Sequence, residues 1–414
     1  MLDYTFWLEW AQFAVRWVHV ITAIAWIGSS FYFIALDLGL RPEAGAPRGV
    51  HGAAWQVHGG GFYHIQKYLV APERMPSELT WFKWESYATW LSGFAMLILV
   101  YWLGAEFFLV DPRVADIPVW AAVAISFGSL VFGWLAYDFI CKTRFGDDNT
   151  RLMVALYVIL VALAWGYTQV FSGRAALLHL GALTATIMSG NVFLIIIPNQ
   201  KIVVADLVAG RVPDPKYGKI AKQRSTHNNY LTLPVLFMMV SNHYPLAFAS
   251  AWNWLIAALV FLMGVTIRHF FNSHHAHKGT PWWTWGVTAV LFALVVWLSS
   301  LGPGDEAAGL DEAALAPAQA RFVQAPGFDE VAGIVMGRCS MCHAAEPGFD
   351  GIGRAPKGVH LETPAQIAAA ARQIYVQSGL THAMPPANLS LMEEAERAAI
   401  RAWYRQAMGL ASAG

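Results

Sequence analysis

The sequence predicts an all-α protein: a polytopic membrane helix bundle of about eight spans, followed by a small soluble helical domain. Hydrophobic residues make up 57% of the 414 positions and charged residues only 13%, about half the charged share of an average soluble domain. Apolar stretches recur up to Leu301, where the composition switches abruptly to Gly, Pro, Ala and acidic residues. A formal net charge of +0 argues against the broad basic surface that would grip nucleic acid, so no nucleic-acid partner is expected.

A span needs about 20 apolar residues to cross the hydrocarbon layer. Suitable stretches lie at 11–36, 87–104, 118–141, 152–171, 176–198, 228–243, 246–267 and 282–301, the sixth being short and interrupted by Pro234. The first runs past Leu36 without a small-residue cleavage site and reads as an uncleaved span. Trp and Tyr gather at span ends, as at Tyr4, Trp7, Trp84, Trp282 and Trp283, where amphipathic rings sit at headgroup level. Basic residues concentrate in alternate loops (Arg41, Arg48 and Lys67; Lys142 and Arg144; Lys216, Lys219, Lys222 and Arg224), while the loops around Glu106–Asp116 and Arg174 are poor in them. The positive-inside rule then places the N-terminus and everything after the eighth span outside. The expected units are a membrane part at 1–301, a flexible linker at 302–320 and a soluble domain at 321–414. The last has helical patterns at 328–338, 364–378 and 390–408, with Ser390 as N-cap of the third and Glu393 three residues on.

The most specific motif is Cys339-Ser-Met-Cys342-His343, the C-x-x-C-H pattern of covalent haem attachment. Two thiols at this spacing can add to the two vinyl groups on one edge of a haem, and His343 then lies beneath the iron as an axial ligand. A zinc site would need further Cys or His pairs, and the only other cysteine, Cys141, sits at a span end. The motif makes 321–414 a class I-type cytochrome c domain carrying one covalent haem c. Met384, in Thr381-His-Ala-Met-Pro-Pro386, is the expected second iron ligand, because two prolines favour a loop there, with His360 and His382 as alternatives. The carbonyl of Pro356 is a candidate acceptor for the ring N–H of His343.

Intramembrane polar residues are expensive, and each is a functional hypothesis by default. His19, His179 and His243 fall toward the outer ends of their spans. A b-type haem held by two of them, with His19 and His179 the expected pair, is the second cofactor considered; the competing reading has each histidine merely bonding a neighbouring helix. A second group lies on the inner side. It comprises His58, His64 and Gln66 in VHGGGFYHIQKY, then Asn199, Gln200 and Lys201, then His227, Asn228 and Asn229 in THNNY, and finally Arg268, His269 and Asn272. Neutral donors and acceptors with a few cations suit a planar, hydrogen-bonding anion, against a plainer role in interfacial anchoring. The His274, His275, His277 cluster offers adventitious metal binding.

The segments RWVHVITAIAWIGSSFYFIALD, WQVHGGGFYHIQKY, STHNNYLTLPVLFMMVSNHYP, CSMCH and MPP, in this order over nearly the whole chain, resemble the bacterial membrane-bound cytochrome c urate oxidases, also called urate hydroxylases. The resemblance implies oxidation of urate to 5-hydroxyisourate in purine breakdown, with electrons passing to the chain's own haem and on to a soluble cytochrome or terminal oxidase. It also implies a multi-pass protein of the inner membrane with the cytochrome domain in the periplasm. Because urate arises in the cytoplasm, the substrate pocket is expected on the inner side among His58, His64, His227, Asn228 and Arg268, with one histidine as general base and Arg268 or Lys201 holding the anion. The alternative is a quinol-to-cytochrome electron-transfer protein.

Overall fold

The computed structural model describes residues 3–72, 75–301, 315, 317–353 and 355–410. Most of the expected linker at 302–320 lies outside the described residues. The chain opens with α1 (Tyr4–Gly39), its first turn capped by the Asp3 carboxylate accepting from the Phe6 N–H at 3.0 Å. An antiparallel hairpin of β1 (Val50–His58) and β2 (Gly61–Tyr68) follows, in a segment expected to be a loop. Its turn needs the left-handed region at Gly59 (φ 59°) and Gly60 (φ 79°), so the triple glycine is a two-residue hairpin turn.

The membrane part continues with α2 (Trp84–Met96), α3 (Ala105–Phe108), α4 (Val119–Cys141), α5 (Asn149–Thr168), α6 (Gly173–Gly190), α7 (Ile197–Val208), α8 (Pro215–Ser241), α9 (Pro245–Phe248), α10 (Asn253–His275) and α11 (Trp283–Ser300). Among the described residues, six helices are long and apolar enough to cross a membrane: α1, α4, α5, the continuous stretch Gly173–Val208 that joins α6 to α7, α10 and α11. Two expected spans fall outside this set. The stretch 87–104 is helical but divides where α2 passes into a widened turn at Leu97–Trp102. The stretch 228–243 is only the second half of α8, which starts in the basic loop and carries Lys216, Lys219, Lys222 and Arg224 before its apolar part. The span expected at 246–267 is displaced to α10, because Pro245–Phe248 turns off as a separate short helix.

Helix α6 is the centre of the bundle. Ala175, Leu177, Leu180, Leu183 and Ile187 are buried against α2, α4, α5, α8 and α10. Small residues bring the helices close, since lipid offers no hydrophobic drive for helix association and packing must supply it. A Cβ on Gly181 would lie 2.7 Å from Met238, one on Gly190 2.1 Å from the Trp134 indole, and one on Gly264 2.5 Å from the Pro234 ring. Pro234 therefore costs α8 a hydrogen bond but seats against Gly264 of α10. Trp7, Trp17 and Ile24 on α1 and Trp120 and Phe132 on α4 stay exposed on the flank, as lipid-facing side chains do.

The remaining helices are α12 (Pro317–Val323), α13 (Phe328–Arg338), α14 (Pro364–Ala369), α15 (Ala371–Ile374) and α16 (Glu394–Ala407), packed round their own core of Phe322, Val335, Ile367, Ile400, Trp403 and Tyr404. The helix at 328–338 stands where it was expected. The pattern at 364–378 is broken into α14, α15 and a widened turn at Tyr375–Leu380. The cap of α16 is Glu393, in a reciprocal capping box with Glu396, and Ser390 is not the N-cap: Leu391 takes φ 55°, which no helix accommodates. This C-terminal group sits on the end of the bundle where α1 begins. Arg372 pairs with Glu9 at 2.6 Å, the Tyr375 hydroxyl donates to Asp3, and the Phe107 and Phe322 rings meet at 6.2 Å.

The α8–α10 contact yields a prediction. Gly264→Leu forces the helices apart at Pro234, and overpacking of this kind costs about 1–3 kcal/mol. The Tm in detergent should fall by several degrees, whereas Gly286→Ala on α11, where a Cβ meets open space, should leave it unchanged.

Candidate functional site

Two regions concentrate the chemistry. The first is a belt of buried polar side chains in the half of the bundle away from the C-terminal group. On α8, Arg224 (2% exposed) donates to Asp138 of α4 at 2.7 Å and to the Asn191 side-chain oxygen at 3.1 Å. Asn191 in turn donates to Asn228 at 3.0 Å and to the Tyr137 hydroxyl at 3.1 Å, and Asn228 donates to the Met188 carbonyl at 2.9 Å. His227, fully buried, places Nδ1 2.7 Å from the Tyr137 hydroxyl, while its Nε2 has no partner. Across α8, Arg268 of α10 donates to Asn229 at 3.3 Å and to Asn272 at 3.1 Å, and its guanidinium lies 4.1 Å from the centre of the Phe31 ring.

The arrangement follows from α8 running through the middle of the polar belt. Residues three and four apart share a helix face, so Arg224, His227 and Asn228 point toward α4 and α6, while Asn229 turns toward α10. The Arg224 charge is neutralised by Asp138, which also holds Lys142 at 2.6 Å. Arg268 has no carboxylate partner among the described residues and is only 5% exposed. A buried cation without an anion beside the unpaired Asn229 amide is an arrangement that can accept an anionic, hydrogen-bonding group.

Arg268 meets Asn229 where α8 packs on α10, His227 and Asn228 face α4 and α6 on another side of α8, and His58 and His64 lie apart from both on the hairpin. His58 is exposed at the hairpin turn. His64 lies on β2 with its ring stacked on Trp55 at 4.2 Å and Nε2 bonded to Glu43 at 2.9 Å, and neither histidine hydrogen-bonds into the belt. Lys201 is exposed on α7. The His274, His275 and His277 cluster forms no metal-binding group, and none occurs among the described residues. Sequence reasoning missed Tyr137, Asp138 and Asn191, and took Arg224 as a loop charge. The signal was present in Asp138, an acid inside the apolar run WLAYDFIC.

The second region is a cavity of about 730 Å³ at the opposite end, lined jointly by bundle helices and the C-terminal group. Cys339, Cys342, His343 and Met384 all face it. Cys342 and His343 both donate their backbone N–H to the Cys339 carbonyl, at 3.1 and 3.0 Å, so one helical turn presents both thiols and the imidazole. The His343 Nδ1 lies 2.9 Å from the Val359 carbonyl, which replaces the expected Pro356 partner and leaves Nε2 free to bind a metal. Burial pushes the Cys339 thiol up to about 11. The loop bearing Met384 is clamped from behind by Arg397, which donates to the carbonyls of Ser378 and Met384 at 2.8 and 3.0 Å. These residues therefore fit a covalently attached haem.

Of the two membrane histidines expected to pair, His19 faces this cavity and His179 does not. His179 is fully buried with both ring nitrogens engaged, Nε2 with Ser126 at 2.7 Å and Nδ1 with the Ala175 carbonyl at 2.8 Å. The plainer reading, a histidine bonding its neighbours, holds for His179.

Residues 5–299 match the model of the urate oxidase N-terminal family. No curated protein and no solved structure matches the chain.

Tyr137 carries the prediction for this site. Tyr137→Phe removes the hydroxyl that bonds His227 and Asn191 and leaves two buried polar groups short of a partner, at about 1–3 kcal/mol each. Turnover should fall at least tenfold with the helix content by circular dichroism unchanged.

Proposed function

The chain belongs to the urate oxidase N-terminal family, and from that premise we propose that it oxidises urate to 5-hydroxyisourate and delivers the electrons to a haem covalently held at Cys339 and Cys342. The observation that carries this reading is the shared cavity: one space is walled both by bundle helices and by the Cys339–His343 turn with Met384. The proposed units are a membrane catalytic part at 1–301, a linker at 302–320 and a cytochrome c domain of class I type at 321–414. The protein is a multi-pass component of a bacterial inner membrane, with the cytochrome domain in the periplasm and a soluble cytochrome or terminal oxidase as the final acceptor.

The reaction is balanced as urate plus water giving 5-hydroxyisourate, two protons and two electrons. Urate binds as an anion against Arg268, whose buried charge has no carboxylate to neutralise it among the described residues. Asn229, whose amide nitrogen is unpartnered beside Arg268, orients the ring by a hydrogen bond. For His227 to take up a proton at Nε2, its Nδ1–H must donate to the Tyr137 oxygen; the 2.7 Å contact suits that tautomer, and Asn191 steadies the same oxygen. When bound, the haem supplies one-electron acceptance, with His343 and Met384 as iron ligands. Arg397 keeps the Met384 loop in place.

The test uses detergent-purified full-length protein under anaerobic conditions. Urate should reduce the c-type band. His227→Ala and Arg268→Ala should slow that reduction at least a hundredfold, while His58→Ala and His64→Ala stay within a factor of about three of wild type, because general-base and charge-pairing contributions are large and exposed side chains contribute little. Reduction by a quinol analogue and not by urate would replace this reading with the quinol-oxidising one.

A further inference from the structure

The part of the large cavity that lies between the bundle helices has a wall unlike that of the attachment turn. His19 of α1 sets Nδ1 3.0 Å from the Thr89 carbonyl and 3.2 Å from the Ser92 hydroxyl of α2. An Nδ1–H donating to that carbonyl leaves Nε2 as a free lone pair, the state in which a histidine binds a metal while its other nitrogen is held by the protein. Gly93 makes this possible, since a Cβ there would lie 2.9 Å from the His19 ring. His243, just past the end of α8, faces the same cavity, and its ring has no hydrogen-bond partner among the described residues.

Charge on the same wall is unbalanced. Arg338 and Arg372 also face the cavity but are neutralised by Glu396 and Glu9. Arg16, Arg174 and Lys357 face it with no carboxylate partner among the described residues, and all three stand close enough to His243 for their charges to act on it. Between these groups the wall is apolar, with Phe13, Trp26, Phe94, Leu97 and Leu178. Two histidines able to ligate a metal, uncompensated cations and an apolar lining together describe a ligand that is flat, mostly apolar, metal-bearing and edged with carboxylates.

We propose that the membrane part holds a second, non-covalent b-type haem in this cavity, with His19 and His243 as its axial ligands and Arg16 and Arg174 paired with its propionates. The ligand pair expected from sequence, His19 with His179, is thereby revised.

The proposal is tested on detergent-purified full-length protein by acid–acetone extraction, with pyridine haemochrome spectra of the extract and of the residue. Polypeptide is counted by quantitative amino-acid analysis. The expected result is one extractable haem b per chain beside the covalent haem c. His19→Ala and His243→Ala should each lower the extractable haem at least tenfold with covalent haem unchanged, and Arg16→Gln should lower the midpoint potential of the b-type band only. Wild-type protein without extractable haem overturns the proposal, as does extractable haem retained in both histidine variants. A shift of the c-type potential alone in Arg16→Gln also overturns it, by assigning the cations to the propionates of the covalent haem. The wild-type count needs no variant and no urate, so it stands or falls separately from the urate reading and from any folding defect.

Discussion

The interior of the bundle is governed by the cost of an unpaired charge or polar group where water is absent. Arg224 can sit at 2% exposure only because Asp138 faces it at 2.7 Å, and the pair is in turn wrapped by Asn191. That requirement ties α4, the junction of α6 and α7, and α8 into one unit, since each contributes a group that another must satisfy. It also makes the exceptions informative. Among the described residues several buried polar atoms stay unpartnered, the Nε2 of His227, the amide nitrogen of Asn229 and the Nε of Arg224 among them, while Arg268 bonds only neutral asparagines. The Arg268 guanidinium and the Asn229 amide meet where α8 packs on α10, and they are the groups that the proposed anion would engage.

The opposite end of the molecule obeys a different constraint, which is distance. The proposed electron transfer would need a short path from the bundle to the C-terminal group, and the contacts of Arg372 with Glu9 and of Tyr375 with Asp3 hold that group against the start of α1. A flexible linker is compatible with either a swinging or a docked domain, and on the described residues the domain is docked. The turn bearing Cys339, Cys342 and His343 faces inward, onto the cavity that the bundle helices complete.

Much of this was legible in the sequence because the signals were local. Apolar length marked the six long helices, and C-x-x-C-H marked the turn that faces the shared cavity. THNNY and Arg268 pointed to the belt. What escaped depended on three-dimensional partners. The hairpin at 50–68 lies in a segment too polar to register as a span, and its glycines revealed a turn but not the strands. Arg224 looked like a loop charge because the helical start of α8 at Pro215 is not an apolar pattern. His179 resembled His19 in sequence, yet Ser126 and the Ala175 carbonyl occupy its ring, and only the fold shows that. Likewise Val359 rather than Pro356 bonds His343, a choice made by the backbone of one loop.

The claim that unites the two ends is that electrons from urate go to the haem and not to dioxygen. An anaerobic titration of the oxidised, purified protein with sub-stoichiometric urate tests it directly, counting haem reduced against urate consumed. The account predicts two haem equivalents reduced per urate, with a rate unaffected when dioxygen is later admitted and no hydrogen peroxide formed. Urate consumed only once dioxygen is present, with peroxide formed and the haem left oxidised, would contradict it.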